Sequence, residues 1–346
     1  MTTSSLRTLA LLFSVLQWPL ALAGAMPACP AVPETMRAVR LVGHGGPEQL
    51  KLESTAVPTP KAGEVLVRVS AASVNPADWK IRENQASTMA LPWIPGGDAA
   101  GVVAAAGSDV HGWRCGEAVV AYLDNVPQGS YAEFVAVPAA DVARKPAALT
   151  FREGAAYPLV AVTAWQAVEA ARVAKGDRVL IQGGSGGVGS MALQIAKARG
   201  AYVIATASTG NVDYVRSIGA DQVVDYTKDE LDAVHDADVL IDTVGGETLT
   251  NSLSAVRRGG RAVTVTGRLP GEACATAGIA CAKAGSNNEG NILGQITKLF
   301  AQGKLRINVD STFPLEQAGA AQERSRTGHP RGKIVLDVRS DAGEKS

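Results

Sequence analysis

No two cysteines in this sequence form a C-x-x-C pair, and Cys29, Cys115, Cys274 and Cys281 make no tight cluster with histidine. A zinc cage needs closely spaced nitrogen or sulfur ligands, so none is offered, and the thiols read as isolated core or surface groups. An excess of charge of either sign is missing as well. Lys+Arg and Asp+Glu each total 33 in 346 residues, with no long run of one sign, which sets nucleic acid aside as a partner. A run long enough to span a bilayer is also lacking. The apolar stretch Leu9–Leu16, behind Arg7, is too short, and it leads through Pro19 into the small residues Ala21–Ala25. Residues 1–25 therefore read as a secretory signal with an A-x-A cleavage site, leaving no stable membrane span once removed. The alternative is translation from Met36, where an ordinary domain begins. The first reading places the protein in the periplasm or outside the cell, the second in the cytoplasm.

With 46% apolar and 19% charged residues, the chain has the composition of a folded protein with room for two domains. After a Pro-rich linker over 26–35, short strands follow one another between Gly and Pro turns: Met36–Val42, Glu64–Ser70, Ala100–Ala106, Ala118–Tyr122 and Tyr131–Val137. That run predicts a compact β-rich domain over 36–157. From 158 to 309 the pattern is α/β. Strands Arg178–Gln182, Tyr202–Thr206, Gln222–Asp225, Val239–Asp242 and Arg261–Thr266 alternate with helices including Leu159–Ala171, Met191–Arg199 and Asn211–Ile218. A sixth strand is expected near Leu305–Val309, giving a doubly wound parallel sheet of Rossmann type. Residues 310–340, a helix over Phe313–Arg326 and a strand over Lys333–Val338, return to the first domain.

Between the first α/β strand and its helix, Gly184, Gly186 and Gly189 satisfy G-x-G-x-x-G. In that setting Gly184 suits a tight turn, Gly186 a close approach to pyrophosphate, and Gly189 close packing of helix on strand. Free amides and the positive helix end would face the phosphates, so a nicotinamide dinucleotide is the expected ligand. The next strand ends at Ser208 rather than at the acid that usually holds an NAD ribose. NADP(H) is therefore favoured over NAD(H). Arg216 reads as a solvated helix residue and Asp213 as a surface one.

In order and spacing, several blocks over residues 36–339 resemble the zinc-independent quinone oxidoreductase branch of the medium-chain dehydrogenase/reductase superfamily. They include Gly45-Gly46-Pro47-Glu48, Ser73-Val74-Asn75-Pro76-Ala77-Asp78, Pro95-Gly96-Gly97-Asp98, Gly129-Ser130-Tyr131-Ala132-Glu133, Thr163-Ala164-Trp165, the glycine turn, Asp242-Thr243-Val244-Gly245-Gly246 and Arg331-Gly332-Lys333-Ile334-Val335-Leu336. The resemblance implies a GroES-like β-rich catalytic domain joined to the Rossmann domain, with the active site between them. Zinc-dependent relatives carry a cysteine where Asn75 stands and a His-Glu pair where Gly97-Asp98 stand, so no zinc is expected here.

Without a metal to polarise an alkoxide, hydride delivery to a quinone or an α,β-unsaturated carbonyl is the implied reaction, with NADPH as donor. Asn75 is the candidate for orienting substrate or nicotinamide amide, and Lys80, Tyr122 and Tyr131 are candidate oxyanion donors or proton sources. The cofactor set carried by the resemblance is Thr163, Ser185, Gly186, Gly187, Val188, Ser208 and Gly245, beside Gly184 and Gly189, with Tyr226 at the adenosine end. Relatives commonly dimerise edge to edge, so a homodimer is a further expectation. Two other classes remain open: a dinucleotide-binding redox sensor or structural protein without catalysis, and a metal-dependent alcohol dehydrogenase.

Overall fold

The computed structural model describes residues 30–345 except 85–88, 124–125, 229–233 and 290. The signal-like segment 1–25 and Cys29 lie outside the described residues. In the first domain the chain forms β1 (Thr35–Leu41), β2 (Leu50–Ala56), β3 (Glu64–Val74), α1 (Pro76–Glu83), β4 (Asp98–Ala106), β5 (Ala118–Tyr122), β6 (Phe134–Pro138), β7 (Val142–Arg144) and α2 (Phe151–Ala156). It then runs through α3 (Pro158–Ala170), β8 (Arg178–Ile181), α4 (Gly187–Ala198), β9 (Tyr202–Ala207), α5 (Val212–Ser217), β10 (Gln222–Asp225), β11 (Ala237–Asp242), α6 (Gly246–Ser252), β12 (Val256–Thr264), α7 (Gly271–Ala277), β13 (Ala280–Lys283) and α8 (Ile292–Ala301). It closes with β14 (Val309–Pro314), α9 (Ala318–Arg326) and β15 (Lys333–Asp337).

Among the described residues three sheets form. β1 and β2 form an antiparallel hairpin with Met36 opposite Thr55. A largely antiparallel sheet runs β14-β15-β3-β4-β5-β7, with β6 also paired to β3. The Val-rich run Val65-Leu66-Val67 and Val69 suits β3 to this central place, since β-branched residues fit a pleated surface buried on both faces. The parallel sheet runs β10-β9-β8-β11-β12-β13, its order reversing on either side of β8 as in a doubly wound fold. Apolar residues of α4, among them Met191, Leu193 and Ile195, are buried against it. One core joins the domains, because Ala71, Ala100 and Val335 of the first sheet share a cluster with Val160, Ile181 and Ile195.

The structure corrects two expectations. The sixth parallel strand is β13, whereas Leu305 is buried in the core without strand pairing and Val309 opens β14 in the other sheet. The thiols are not isolated: Cys274 of α7 and Cys281 of β13 form a disulfide, and Cys115 is disulfide-bonded too. The seven-residue separation spans one helix and a turn that brings the two Cα atoms to 6.1 Å, a closeness with no local sequence pattern to announce it.

Candidate active site

The turn after β8 positions the centre of the site. Gly183 takes φ +72°, and a Cβ there would lie 2.6 Å from Thr243 Oγ1, so the left-handed turn belongs to this glycine and not to Gly184. Gly184 instead packs on β9, where its Cβ would meet that of Ala205 at 2.8 Å. Gly189 presses against the turn itself, 2.1 Å from Gly183 O if a Cβ were added. Gly186 is the N-cap of α4 and meets only Gly183 O, at 3.4 Å, which leaves its outer side open.

Over this turn lies a cleft of about 740 Å³, within the range of ligand sites. Ser185, Gly186, Gly187 and Val188 line its floor at the first turn of α4, whose free amides and dipole suit a pyrophosphate. Val74, Pro76 and the segment Gly328–Ile334 bring the first domain to its opposite wall. That wall is stitched to the turn: Gly332 N donates to Ser185 O at 2.9 Å, and Gly332 bridges Gly186. No Asp or Glu lines the cleft among the described residues. An anionic ligand therefore meets no repulsion at the wall.

At one end, Ser208, Asn211 and Tyr226 line the cleft beyond β9. Asn211 Nδ2 donates to Ser208 Oγ at 3.1 Å, and Arg331 donates to Asn211 Oδ1 at 2.6 Å and to Gly210 O at 2.7 Å while lying over the Tyr214 ring. Arg331 thus sets a cation beside Gly210 and Asn211, between the lining residues Pro330 and Gly332 in sequence. Arg216 and Asp213 form an exposed pair with each other. The neighbouring Asp225 is held to about 2 by hydrogen bonds from Thr209 and Thr227.

At the other end a buried polar network surrounds Asn75. α1 begins there because Pro76 occupies its first turn and Asp78 Oδ2 accepts from Asn75 N at 2.8 Å. Asn75 Nδ2 donates to Asp98 Oδ2 at 2.7 Å, as does Ser73 Oγ. Leu159 N, in the first turn of α3, donates to Asp98 Oδ1 at 2.6 Å. Lys333 Nζ donates to Val74 O at 2.8 Å and to Asn75 Oδ1 at 2.5 Å. Burial lowers the pKa of the Lys333 ammonium, against the pull of Asp98 and Asp78. It pushes the Asp78 carboxyl up to about 6, against hydrogen bonds from Asn75 N and Tyr131 that favour the charged form.

The expected catalytic residues are not all gathered. Asn75 is in this network, one residue from the lining positions Val74 and Pro76. Tyr131 is fully buried, donates to Asp78 Oδ2 at 2.8 Å, and does not line the cleft. Burial, followed by Asp78, raises its pKa well above the ordinary phenol value. Tyr122 donates to Ser286 O and joins β5 to the segment after β13. Lys80 is on the exposed side of α1, 5.4 Å over the Trp79 ring. The structure brings neither to the cleft wall. Of the cofactor set, Ser185, Gly186, Gly187, Val188, Ser208 and Tyr226 line the cleft, while Gly184 and Gly189 shape the turn beneath it. Gly245 takes φ +84° at the start of α6, next to the lining residue Val244. Thr163 is one turn along α3 from the lining residue Val160, and its buried Oγ1 has no partner. A dinucleotide fits these features: an open glycine floor, a wall without carboxylates, and an orphaned hydroxyl near the end opposite Ser208.

Asp98, Arg331 and Lys333 were missed as site residues. The partners of each lie far along the chain, up to 259 positions in the case of Lys333 and Val74, so periodicity carried no sign of them.

Residues 61–147 match the family model described as alcohol dehydrogenase GroES-like domain, and residues 218–336 match zinc-binding dehydrogenase. The chain is 36% identical to 2-methylene-furan-3-one reductase of Solanum lycopersicum, over 88% of this chain and 80% of that protein. To the chloroplastic NADPH-dependent alkenal/one oxidoreductase of Arabidopsis thaliana it is 34% identical, with the same coverage. Among solved structures, the quinone oxidoreductase from Coxiella burnetii superposes with a TM-score of 0.82 at 34% identity, over 88% of this chain and all of that one.

Proposed function

Because this chain belongs to the medium-chain dehydrogenase/reductase superfamily, in its quinone oxidoreductase branch, we propose that it reduces quinones and α,β-unsaturated carbonyls with NADPH. The carrying observation is the cleft between the domains, floored by the α4 N-terminus, free of carboxylates, and ending at the Asn75 network. NADPH, when bound, supplies the hydride. The amides at Gly186–Val188 would hold its pyrophosphate, and Thr163, whose hydroxyl has no partner, would serve its nicotinamide end. Ser208, Asn211 and Arg331 receive the 2′-phosphate, which favours NADPH over NADH. Val74 and Pro76 line the wall against which the acceptor would lie.

No zinc takes part in this reading. Gly97 offers no ligand atom, both ends of the Asn75 amide are engaged, and Asp98 already accepts three hydrogen bonds. Among the described residues no three of His, Cys, Asp and Glu form a metal-binding group. The disulfides support an exported chain, since such bonds persist in oxidising compartments. The exposed edge strand β13 supports a homodimer formed by strand pairing.

The test is a screen of quinones and enones with NADPH and NADH in parallel. Turnover with NADPH is expected, and none with either acceptor class sinks the reading. Metal analysis of the same preparation decides against zinc or for it, N-terminal sequencing decides export, and light scattering decides the dimer.

A further inference from the structure

Of the Lys, Arg, Asp and Glu side chains described, only Lys333 lines the cleft, and it is 4% exposed. Burying an ammonium is expensive, and a well-packed apolar residue commonly serves stability as well or better. The place of Lys333 is therefore informative. It touches three elements that build the site: Val74 O at the end of β3, Asn75 at the start of α1, and Gly187 in α4, where an added Cβ would lie 3.0 Å from Lys333 Cδ. Charged groups face it from β4 and α1, namely Asp98 and Asp78, with the Tyr131 hydroxyl behind Asp78.

The two ends of a carboxamide have nearly the same shape, so only their partners decide which way the group points. At Asn75 both partners have a single role. An ammonium donates and never accepts, and it stands against Oδ1; a carboxylate accepts, and Asp98 stands against Nδ2. Asp98 is itself fixed by Ser73 and by Leu159 N. The amide therefore has one orientation, at the end of the cleft opposite Ser208, where the nicotinamide belongs.

We propose that Lys333 is the positioning residue of this reductase, holding the Asn75 carboxamide in one orientation beside the nicotinamide and its acceptor. The inference rests on the proposed function. It treats Lys333 and Asn75 as one unit, so their losses do not add.

The test compares Lys333→Met, Asn75→Ala and the double variant for kcat and KM with an enone, for NADPH affinity, for thermal midpoint and for the emission of bound NADPH. Each single variant is expected to lose roughly 30-fold or more in kcat with NADPH affinity within about threefold, and the double to fall no further than the worse single. Propylamine is expected to restore part of the activity of Lys333→Ala. A Lys333→Met enzyme within about threefold of wild-type kcat, or a double variant whose loss is the product of the two, overturns the proposal. Should Lys333→Met fail to fold, Lys333→Met with Asp98→Asn removes the buried ammonium together with the carboxylate that shares Asn75 and is expected to show the same kcat loss. Wild-type protein that binds NADPH but reduces neither acceptor class overturns the proposed function instead. The emission of bound NADPH then decides the role of Lys333: a change shared by Lys333→Met and Asn75→Ala upholds it, and wild-type emission in Lys333→Met ends it.

Discussion

Arg331 Nε donates to Asn211 Oδ1 at 2.6 Å, joining the segment before β15 to the loop after β9 across 120 residues of sequence. In the proposed site a guanidinium held there would meet the 2′-phosphate of NADPH. Charged hydrogen bonds contribute about 1.5–3 kcal/mol, so Arg331→Ala should raise KM for NADPH by roughly tenfold to a hundredfold. KM for NADH should stay near wild type. Steady-state kinetics with both dinucleotides check this, and equal losses for the two would remove Arg331 from the phosphate site.

Gly189 and Gly210 make a contrasting pair. A Cβ at Gly189 would lie 2.1 Å from Gly183 O, backbone that must move, whereas one at Gly210 meets nothing within 4 Å. Gly189→Ala should cost about 1–3 kcal/mol and abolish the thermal stabilisation that NADPH confers. Gly210→Ala should change stability by less than about 0.5 kcal/mol. Thermal unfolding with and without NADPH reads both.

The pH dependence of stability should carry the mark of Asp78. Its carboxyl titrates at about 6 in the fold against 3.8 ordinarily, so between these values the folded state binds more protons than the unfolded one. Stability from this group is then full below pH ~4 and declines as pH rises through ~6, by about 3 kcal/mol at most. Asp78→Asn removes that slope. Urea unfolding of wild type and variant across this window should show the difference between them widening as pH increases.

The Cys274–Cys281 bond closes a short loop, and for that length the chain-entropy relation gives about 2 kcal/mol. Cys274→Ser with Cys281→Ser should lower the thermal midpoint and loosen α7 and β13 before the rest of the sheet. Hydrogen exchange resolved by segment checks it. Uniform loosening, or none, would show that the bond does not hold the sheet edge.

The parallel strands β8 to β12 were legible because each is an apolar run between turn signals, and the turn at 183–189 because its glycines stand between strand and helix. β13 was not. Ala280-Cys281-Ala282-Lys283 is an exposed edge with no β-branched residue, so it carries little strand propensity, while buried Leu305 mimicked a strand nearby. β2 went unassigned for the related reason that its Leu-Lys-Leu-Glu-Ser-Thr-Ala pattern has no buried face. Asn75 was found through family resemblance. Lys333 was not, since a lysine opening an apolar strand reads as solvated until the strand is placed against Val74 and Asn75. Tyr131 and Lys80 show the opposite failure: their residue types suit proton transfer, but one is enclosed beneath Asp78 and the other faces outward.

Asp98 holds Ser73 and Asn75 with one oxygen and the first turn of α3 with the other. The carboxylate that sets the acceptor end of the cleft is thus also a fastening between the domains. Changes at Asp98 would therefore reach the nucleotide-binding half and the acceptor end together, whereas changes at Asn75 leave the contact with α3 in place, so the two neighbours differ in how freely each can drift.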